Sequence, residues 1–232
     1  MSTTRLSPPS PPPAPQQRQP WRRRATVVGV RSPRTLEMLI SEFKTRHCGR
    51  EMNDVDVFNM FRKKRKSLNK TIIMAATAIC WPDRNNPDHY GKHPHQYRLS
   101  ATDLKKVANA LAKQSRRVRI CKSFSELHDL IESVARELKA DGRIRSFGRL
   151  AIYDTSVRIG AFLGRLPEEV YLHAGTREGA RVLLGDRCTR RKALPLTHFH
   201  KLLRTKLKPY EIEDFLCIFR DELSPRMNEA PV

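Results

Sequence analysis

Residues 122–164, KSFSELHDLIESVARELKADGRIRSFGRLAIYDTSVRIGAFLG, predict two α-helices joined by a tight turn. Ser123, followed three residues later by Glu126, is typical of a helix N-terminus. Apolar residues at helical spacing then mark the first helix: Leu127, Leu130, Ile131, Val134 and Leu138. Asp141 and Gly142 end that helix. A second apolar face consists of Leu150, Tyr153, Val157 and Ala161, with Gly164 past its end. We therefore predict a helical hairpin over about residues 124–164, around which the chain is organised.

The turn of this hairpin, RIRSFG over residues 143–148, has a composition suited to DNA backbone contacts. The N-terminus of a helix presents free backbone N–H groups, and its dipole favours an anion such as phosphate. Arginines that flank the turn can add charge-assisted contacts. The predicted DNA-binding residues here are Arg143, Arg145, Ser146, Phe147, Gly148 and Arg149. An ordinary αα-hairpin with a solvated arginine rim is the alternative.

The charge balance indicates a polyanionic partner. The chain of 232 residues has 45 Lys and Arg against 24 Asp and Glu, which gives a formal net charge of +21. This is more than solubility needs, and nucleic acid, most simply duplex DNA, is the usual partner of so basic a chain. No apolar stretch is long enough to span a bilayer, so no membrane partner is predicted. The five cysteines have no paired spacing and no secretory signal pattern is present, which predicts a cytoplasmic protein, nucleoid-associated if bacterial.

Composition also predicts the domain organisation. Residues 1–33 are rich in Pro and Arg and are expected to form a disordered basic tail that adds phosphate affinity. Residues 34–223 are predicted to be all-α, as one helical domain that contains the hairpin, and residues 224–232 are expected to fray. Besides the hairpin, helices are predicted over 34–47, from Asn53 onward, over 69–81, from Ser100 or Thr102 onward, and over 177–184, 196–207 and 210–223. A short helix or turn is expected over 167–175, with Thr176 as the N-cap of the next helix. The only strand signal is at residues 25–30.

Two further segments have polar residues of interest. The run Arg62, Lys63, Lys64, Arg65 and Lys66 is usually solvated in such a chain, but the overall charge makes phosphate contact an equal expectation. The loop over residues 82–99 and the preceding cysteine contain metal-ligand types: Cys80, His89, His93 and His95. Their spacing matches no standard zinc pattern. The same loop can instead touch a sugar or base through its histidines, Gln96, Tyr97 and Arg98. A plain structural loop is the third possibility. We predict no metal and no cofactor, and the oligomeric state is left open.

The hairpin turn resembles the helix-hairpin-helix motif of DNA-binding proteins. The pattern of that family, apolar-x-Gly-apolar-Gly between two helices, is matched by Ile144, Arg145, Ser146, Phe147 and Gly148, with serine in place of the first glycine. The resemblance implies a helical fold that binds the DNA backbone. Other segments, such as VYLHAGTREGAR and EIEDFLCIF, resemble a bacterial protein family to which no function is attached.

Residues 148–184 also resemble the matching stretch of the helix-hairpin-helix DNA glycosylases. That family has a catalytic Asp in the loop that corresponds to residues 170–177 here, where no Asp is present and His173 stands nearest. The family's activating Lys and its iron–sulfur cysteine cluster are also missing. The resemblance therefore supports a DNA-binding fold more than glycosylase chemistry.

Asp154 and His173 are the candidate catalytic residues, because base excision needs an acid or base beside a flipped base. The alternative is structural: Asp154 with Arg158 is an ordinary i,i+4 ion pair, and His173 is a satisfied core histidine. The leading predicted function is sequence-independent binding of duplex DNA phosphates. A divergent glycosylase or lyase is the alternative, and it predicts a pocket bounded by the 170–177 loop and the second hairpin helix. A basic protein that binds an acidic protein partner is the third possibility.

Overall fold

A computed structural model describes residues 34–47, 59–62, 67–82, 90–93 and 96–228. Three predicted segments lie outside the described residues: the tail over 1–33, most of the helix predicted from Asn53, and the run from Lys63 to Lys66. Among the residues that the structure describes, no helix has both the length and the apolar composition that crossing a membrane requires.

The described chain is mostly helical. The α-helices are α1 (Leu36–His47), α2 (Leu68–Thr77), α3 (Ala101–Lys113), α4 (Ser115–Ile120), α5 (Phe124–Ala140), α6 (Arg149–Leu163), α7 (Ala174–Leu184), α8 (Lys201–Lys206) and α9 (Pro209–Ile218). Residues 59–62 are also helical. Short 3₁₀ helices cover Asp186–Arg190, Leu196–His198 and Pro225–Asn228. The strands are β1 (Ile79–Pro82), β2 (Tyr90–Lys92), β3 (Val170–Tyr171) and β4 (Ala193–Leu194).

The mostly helical architecture agrees with the all-α prediction, but these short strands were not predicted. They form two antiparallel pairs, β1 with β2 and β3 with β4. In the second pair, Val170 lies opposite Leu194 and Tyr171 opposite Ala193. A strand of two residues has too few positions to show an alternating pattern, so periodicity did not indicate it.

Several predicted boundaries are also corrected. The helix predicted over 69–81 ends at Thr77, because Ala78 has a left-handed backbone (φ 57°) that redirects the chain into β1. The segment 167–175 contains β3 and the start of α7, whose N-cap is His173 and not Thr176. The helix predicted over 196–207 is a 3₁₀ turn followed by α8, and the last helix ends at Ile218.

The hairpin itself is present as α5, a connection over residues 141–148, and α6. The Ser123 hydroxyl accepts a hydrogen bond from the Glu126 N–H (3.1 Å), which confirms the predicted N-cap of α5. Gly142, with φ +66°, takes the left-handed conformation that ends the first helix, and Gly164 (φ +71°) does the same after α6. That the pair is a DNA-binding helix-hairpin-helix motif stays a prediction.

Two apolar cores surround the hairpin. One is built from α2, α3, α5 and α6 and includes Ile72, Leu104 and Phe147. The other joins α1, α7, α8 and α9 and includes Leu39 and Phe215. A smaller aromatic cluster, consisting of Phe124, Tyr153 and Tyr171, connects elements of the two cores. Because α6 is buried around most of its circumference, its buried apolar residues face either the first core or the aromatic cluster.

Candidate functional site

The hairpin turn is held by a carboxylate of the protein itself. Asp103 Oδ2 accepts hydrogen bonds from the N–H groups of Arg145 (2.9 Å) and Ser146 (2.8 Å) and from the Ser146 hydroxyl (3.0 Å). These bonds, that of Arg145 first, lower the pKa of Asp103. Two of the turn N–H groups that were predicted to bind phosphate are therefore already hydrogen-bonded to Asp103.

The predicted DNA-binding residues of the turn fall into two groups. Phe147 is 0% exposed and packs in the core, so its side chain offers no surface to DNA. The side chain and N–H of Ser146 are committed to Asp103. The others are exposed at this end of the hairpin: Arg143, Arg145, Gly148 and Arg149. Of the predicted basic run, Arg62 is exposed, whereas Lys63, Lys64, Arg65 and Lys66 lie outside the described residues.

Replacing Asp103 by alanine is expected to lower the melting temperature, because the N–H groups of Arg145 and Ser146 lose their acceptor. Since the folded pKa of Asp103 is depressed, its contribution is present above the unfolded pKa, about 3.9, and is lost as pH falls through the folded pKa. Thermal melts of Asp103→Ala at neutral and acidic pH test this. The control is Asp141→Ala, an exposed residue at the end of α5. Equal melting temperatures for the two variants would contradict the role given to Asp103.

A cavity of about 230 Å³ opens beside the hairpin. Its walls come from α5, the start of α6, β3, the start of α7 and residues 190–192. This is the place that the enzyme alternative predicted, between the 170–177 loop and the second hairpin helix. Arg149 belongs both to the hairpin and to the cavity wall.

Positive side chains surround the cavity. We name Arg149, Arg177, Arg190 and Arg191 the arginine rim. Within the described parts of the chain, no carboxylate pairs with Arg149, Arg190 or Arg191. Burial, followed by repulsion from Arg149, lowers the pKa of Arg177, whose guanidinium donates to the Leu172 carbonyl (2.7 Å). Unneutralised charges held this close together favour the binding of an anion.

Aromatic rings form one wall of the cavity. The Tyr153 and Tyr171 rings lie with centroids 5.6 Å apart. The His128 ring packs at a tilt against Tyr171 (centroids 4.7 Å apart), and the His173 ring packs at a tilt against Tyr153 (5.1 Å). The wall therefore consists of two tyrosines flanked by two histidines, and all four line the cavity. Such a wall provides a surface on which a base or sugar can pack.

His173 has a buried acidic partner. Its Nε2 lies 2.7 Å from Glu213 Oε1, and the same carboxylate accepts a hydrogen bond from the Thr176 hydroxyl. Burial alone would lower the pKa of His173. The charge and hydrogen bond of Glu213, with a contribution from Asp154, outweigh burial and raise it. Glu213 thus favours the protonated imidazolium.

His128 is in the opposite state. Burial, followed by the charge of Lys192, lowers the pKa of His128 to about 4. His128, Asp129 and Glu132 bring potential ligand atoms within 4.8 Å of one another, a geometry that is compatible with a metal ion. The Lys192 ammonium, however, lies 2.6 Å from both Asp129 Oδ1 and Glu132 Oε2 and already supplies the positive charge there. Of the ligands considered around residues 82–99, Cys80 and His93 are buried, whereas His89 and His95 lie outside the described residues.

The two catalytic candidates do not share the cavity. His173 lines it, but Asp154 does not. Asp154 accepts a hydrogen bond from Gln96 Nε2 (2.9 Å) and lies 3.5 Å from the guanidinium of Arg158. Arg158 is itself buried and donates to the Ala75 carbonyl (3.3 Å), so Asp154 belongs to a network that joins α6 to α2. The base-excision alternative therefore keeps only His173.

Several residues in or beside the cavity were not predicted from the sequence, namely Tyr171, Arg190, Arg191 and the supporting Glu213. One available signal was the segment RCTRRK, residues 187–192, in which four of six residues are cationic. Another was the alternation of Tyr171 and His173 about a buried leucine. Neither pattern indicates which distant segments of the chain pack beside these residues in the fold.

Comparisons of the chain with models of protein families, with curated proteins and with solved structures gave no match. The function is therefore inferred from the chemistry of the cavity. Its lining combines arginines, which bind phosphate, with aromatic rings, on which a base or sugar can pack.

Proposed function

We propose that the protein binds nucleic acid and holds its phosphates at the arginine rim. The observation that carries this proposal is that three arginines without described carboxylate partners meet around one aromatic-walled cavity. Guanidinium groups bind phosphate oxygens in pairs, and aromatic rings stack on bases without requiring a sequence. The formal net charge of +21 supports a polyanion over a small anion as the partner.

The shape of the cavity favours an unpaired unit of the strand. Its volume of about 230 Å³ is below the range that is typical for a ligand site, about 300–1,000 Å³. A base held in a duplex cannot leave its stack to enter such a cavity without an unpairing cost. The exposed Arg143 and Arg145, on the same hairpin as Arg149, can extend the contact along the backbone. We therefore expect single strands to bind at least as tightly as the duplex DNA suggested by the hairpin.

Removing Arg190 and Arg191, two of the rim arginines that lie outside the hairpin, is expected to weaken binding. In Arg190→Ala/Arg191→Ala the logarithm of affinity should depend less steeply on the logarithm of salt, by about one unit for each phosphate that the variant no longer neutralises. The matched control is Arg136→Ala/Lys139→Ala, which removes the same charge from exposed positions of α5 away from the cavity. Fluorescence anisotropy with labelled oligonucleotides across a salt series measures both variants.

Three ligands of equal length make this experiment more specific: single-stranded RNA, single-stranded DNA and duplex DNA. Equal reductions in affinity for the rim variant and the control variant would mean that net charge alone drives binding and would contradict the proposed site. A chain that lacks residues 1–33 should show a smaller salt slope while retaining its response to the rim substitutions, because the basic tail adds only non-specific contacts. No binding at low salt to any of the three ligands would overturn the proposal.

A further inference from the structure

Two histidines stand at the two ends of the tyrosine pair of the cavity. His128 and His173 line the same space, and each is 5% exposed. His173 comes from the N-cap of α7, and His128 comes from α5. The ring contacts run from His128 to Tyr171, to Tyr153, to His173. A group bound in this cavity is therefore bordered by both imidazoles, one at each end of the tyrosine pair.

Each histidine has one buried ring nitrogen, which leaves the other for a ligand. Nε2 of His173 is held at 2.7 Å from Glu213, so Nδ1 remains for the cavity. Nδ1 of His128 is buried and has no hydrogen-bond partner among the described residues, so Nε2 is the nitrogen that can meet a ligand. A buried carboxylate behind one nitrogen of a histidine fixes the proton position on the ring and orients it.

The surroundings of the two rings favour opposite protonation states. Beside His128 are Asp129, Glu132 and Lys192, and its pKa, lowered by burial first, is about 4. Beside His173 are Glu213, Asp154 and Arg177. Burial would lower the pKa of His173, but the carboxylates raise it. Near neutral pH one ring is therefore a neutral base and the other is biased toward the acid form. A pair of titratable groups whose environments separate their pKa values is the usual arrangement for an acid and a base.

We propose that the cavity cleaves single-stranded RNA, with His128 as general base and His173 as general acid. This inference rests on the proposed binding of nucleic acid at the arginine rim. The ribose 2′-oxygen attacks the adjacent phosphorus, and His128 takes the 2′-hydroxyl proton. The bond from phosphorus to the 5′-oxygen breaks, and His173 gives its proton to that oxygen. The products are a 2′,3′-cyclic phosphate and a 5′-hydroxyl, with no change in oxidation state and no other reactant.

The arginine rim suits this step because negative charge grows on the phosphoryl oxygens during attack. Guanidinium groups already placed around the cavity stabilise that charge without reorganising. The 2′-hydroxyl is part of the substrate, so attack by it gains the advantage of an intramolecular nucleophile. DNA lacks this hydroxyl. The same cavity is therefore expected to bind a DNA strand without cleaving it.

The test compares a labelled RNA oligonucleotide with a DNA oligonucleotide of the same sequence, in buffer that contains EDTA. The full chain should cleave only the RNA. His128→Asn and His173→Asn should each reduce the cleavage rate about 100-fold or more, the usual scale for general acid or base catalysis, a much larger effect than their effect on binding of the DNA strand, which is measured in parallel. Arg136→Ala is the control for cleavage, since that exposed residue does not line the cavity. Mass spectrometry should identify cyclic phosphate ends.

The pH dependence of kcat/KM supplies an independent measurement that needs no variant. The value of kcat/KM should increase with pH around pH 4, as His128 loses its proton. It should decrease again at higher pH, as His173 loses its proton. In His128→Asn the rise at low pH should disappear even if His173→Asn does not fold. Three results would each overturn this inference and leave the proposed binding intact: strand binding without RNA cleavage, products with 5′-phosphate ends, or equal cleavage by a His128→Asn/His173→Asn double variant purified in parallel. Absence of strand binding would overturn both.

Discussion

Gly179→Ala is expected to destabilise the protein by about 3 kcal/mol, at the upper end of what overpacking usually costs. Gly179 lies on α7, where α7 packs against α9. A Cβ at this position would lie 2.1 Å from the Leu216 carbonyl oxygen and 2.8 Å from its carbon. Both are backbone atoms inside a helix and cannot rotate away, so the two helices would have to separate. Urea denaturation followed by far-UV circular dichroism measures the change in the free energy of unfolding.

Gly175→Ala is the matched control, because Gly175 lies one turn earlier on the same helix and faces the same partner helix. Its added Cβ would lie 2.4 Å from the sulfur of Cys217, an exposed side chain that can change rotamer. Alanine also has a higher helix propensity than glycine by about 1 kcal/mol. We therefore expect Gly175→Ala to stay close to the wild type. Similar destabilisation of both variants would mean that the backbone of Leu216 does not determine how closely α7 can pack against α9.

The hairpin was predictable because its signals are local. Ser123, Asp141 and Gly142 specify where α5 begins and ends through contacts within a few residues, and helical periodicity is visible inside one window of sequence. Ala78 shows the limit of this reasoning. An alanine with a left-handed backbone carries no sequence signal, because the surrounding sheet and helix impose that conformation.

The candidate site was only partly predictable, because it is assembled from segments far apart in the chain. Arg149 and His173 were identified, but the arginines near residue 190 reach the cavity through the pairing of β3 with β4, which no local pattern indicated. Asp103 occupies the N–H groups of Arg145 and Ser146 from more than 40 residues away. Contacts of this kind depend on tertiary packing. Sequence motifs therefore predicted the position of the hairpin. Whether the N–H groups of its turn are free to bind phosphate depends on residues distant in the sequence, such as Asp103, which a local motif does not contain.

Glu213→Ala is expected to destabilise the protein by about 3 kcal/mol or more at pH 6, the scale for breaking one side of a buried ion pair. Glu213 is 4% exposed and meets both His173 and Thr176 through one carboxylate oxygen. Its removal leaves the buried imidazole of His173 and the buried hydroxyl of Thr176 without their partner, and it also leaves a cavity. Equilibrium unfolding in urea measures the decrease in stability. Glu178→Gln is the control, because its ion pair with Arg181 is exposed and should contribute little.

Glu213→Gln removes the negative charge of Glu213 and keeps the size of the side chain. It therefore predicts whether stability increases or decreases with pH when only the charge is lost. In the wild type the carboxylates raise the pKa of His173 against the effect of burial. The stabilisation from this histidine is therefore fully present below the unfolded pKa, about 6.5, and is lost as pH rises through the folded pKa. Without the charge of Glu213, burial becomes the larger influence and lowers the folded pKa, so stability should instead increase with pH. Unfolding free energies of wild type and variant, measured from about pH 5 to about pH 9 to cover the range where histidine titrates, should differ most at the acidic end and converge at the basic end. A constant difference across that range would show that Glu213 acts through packing and not through the charge of His173.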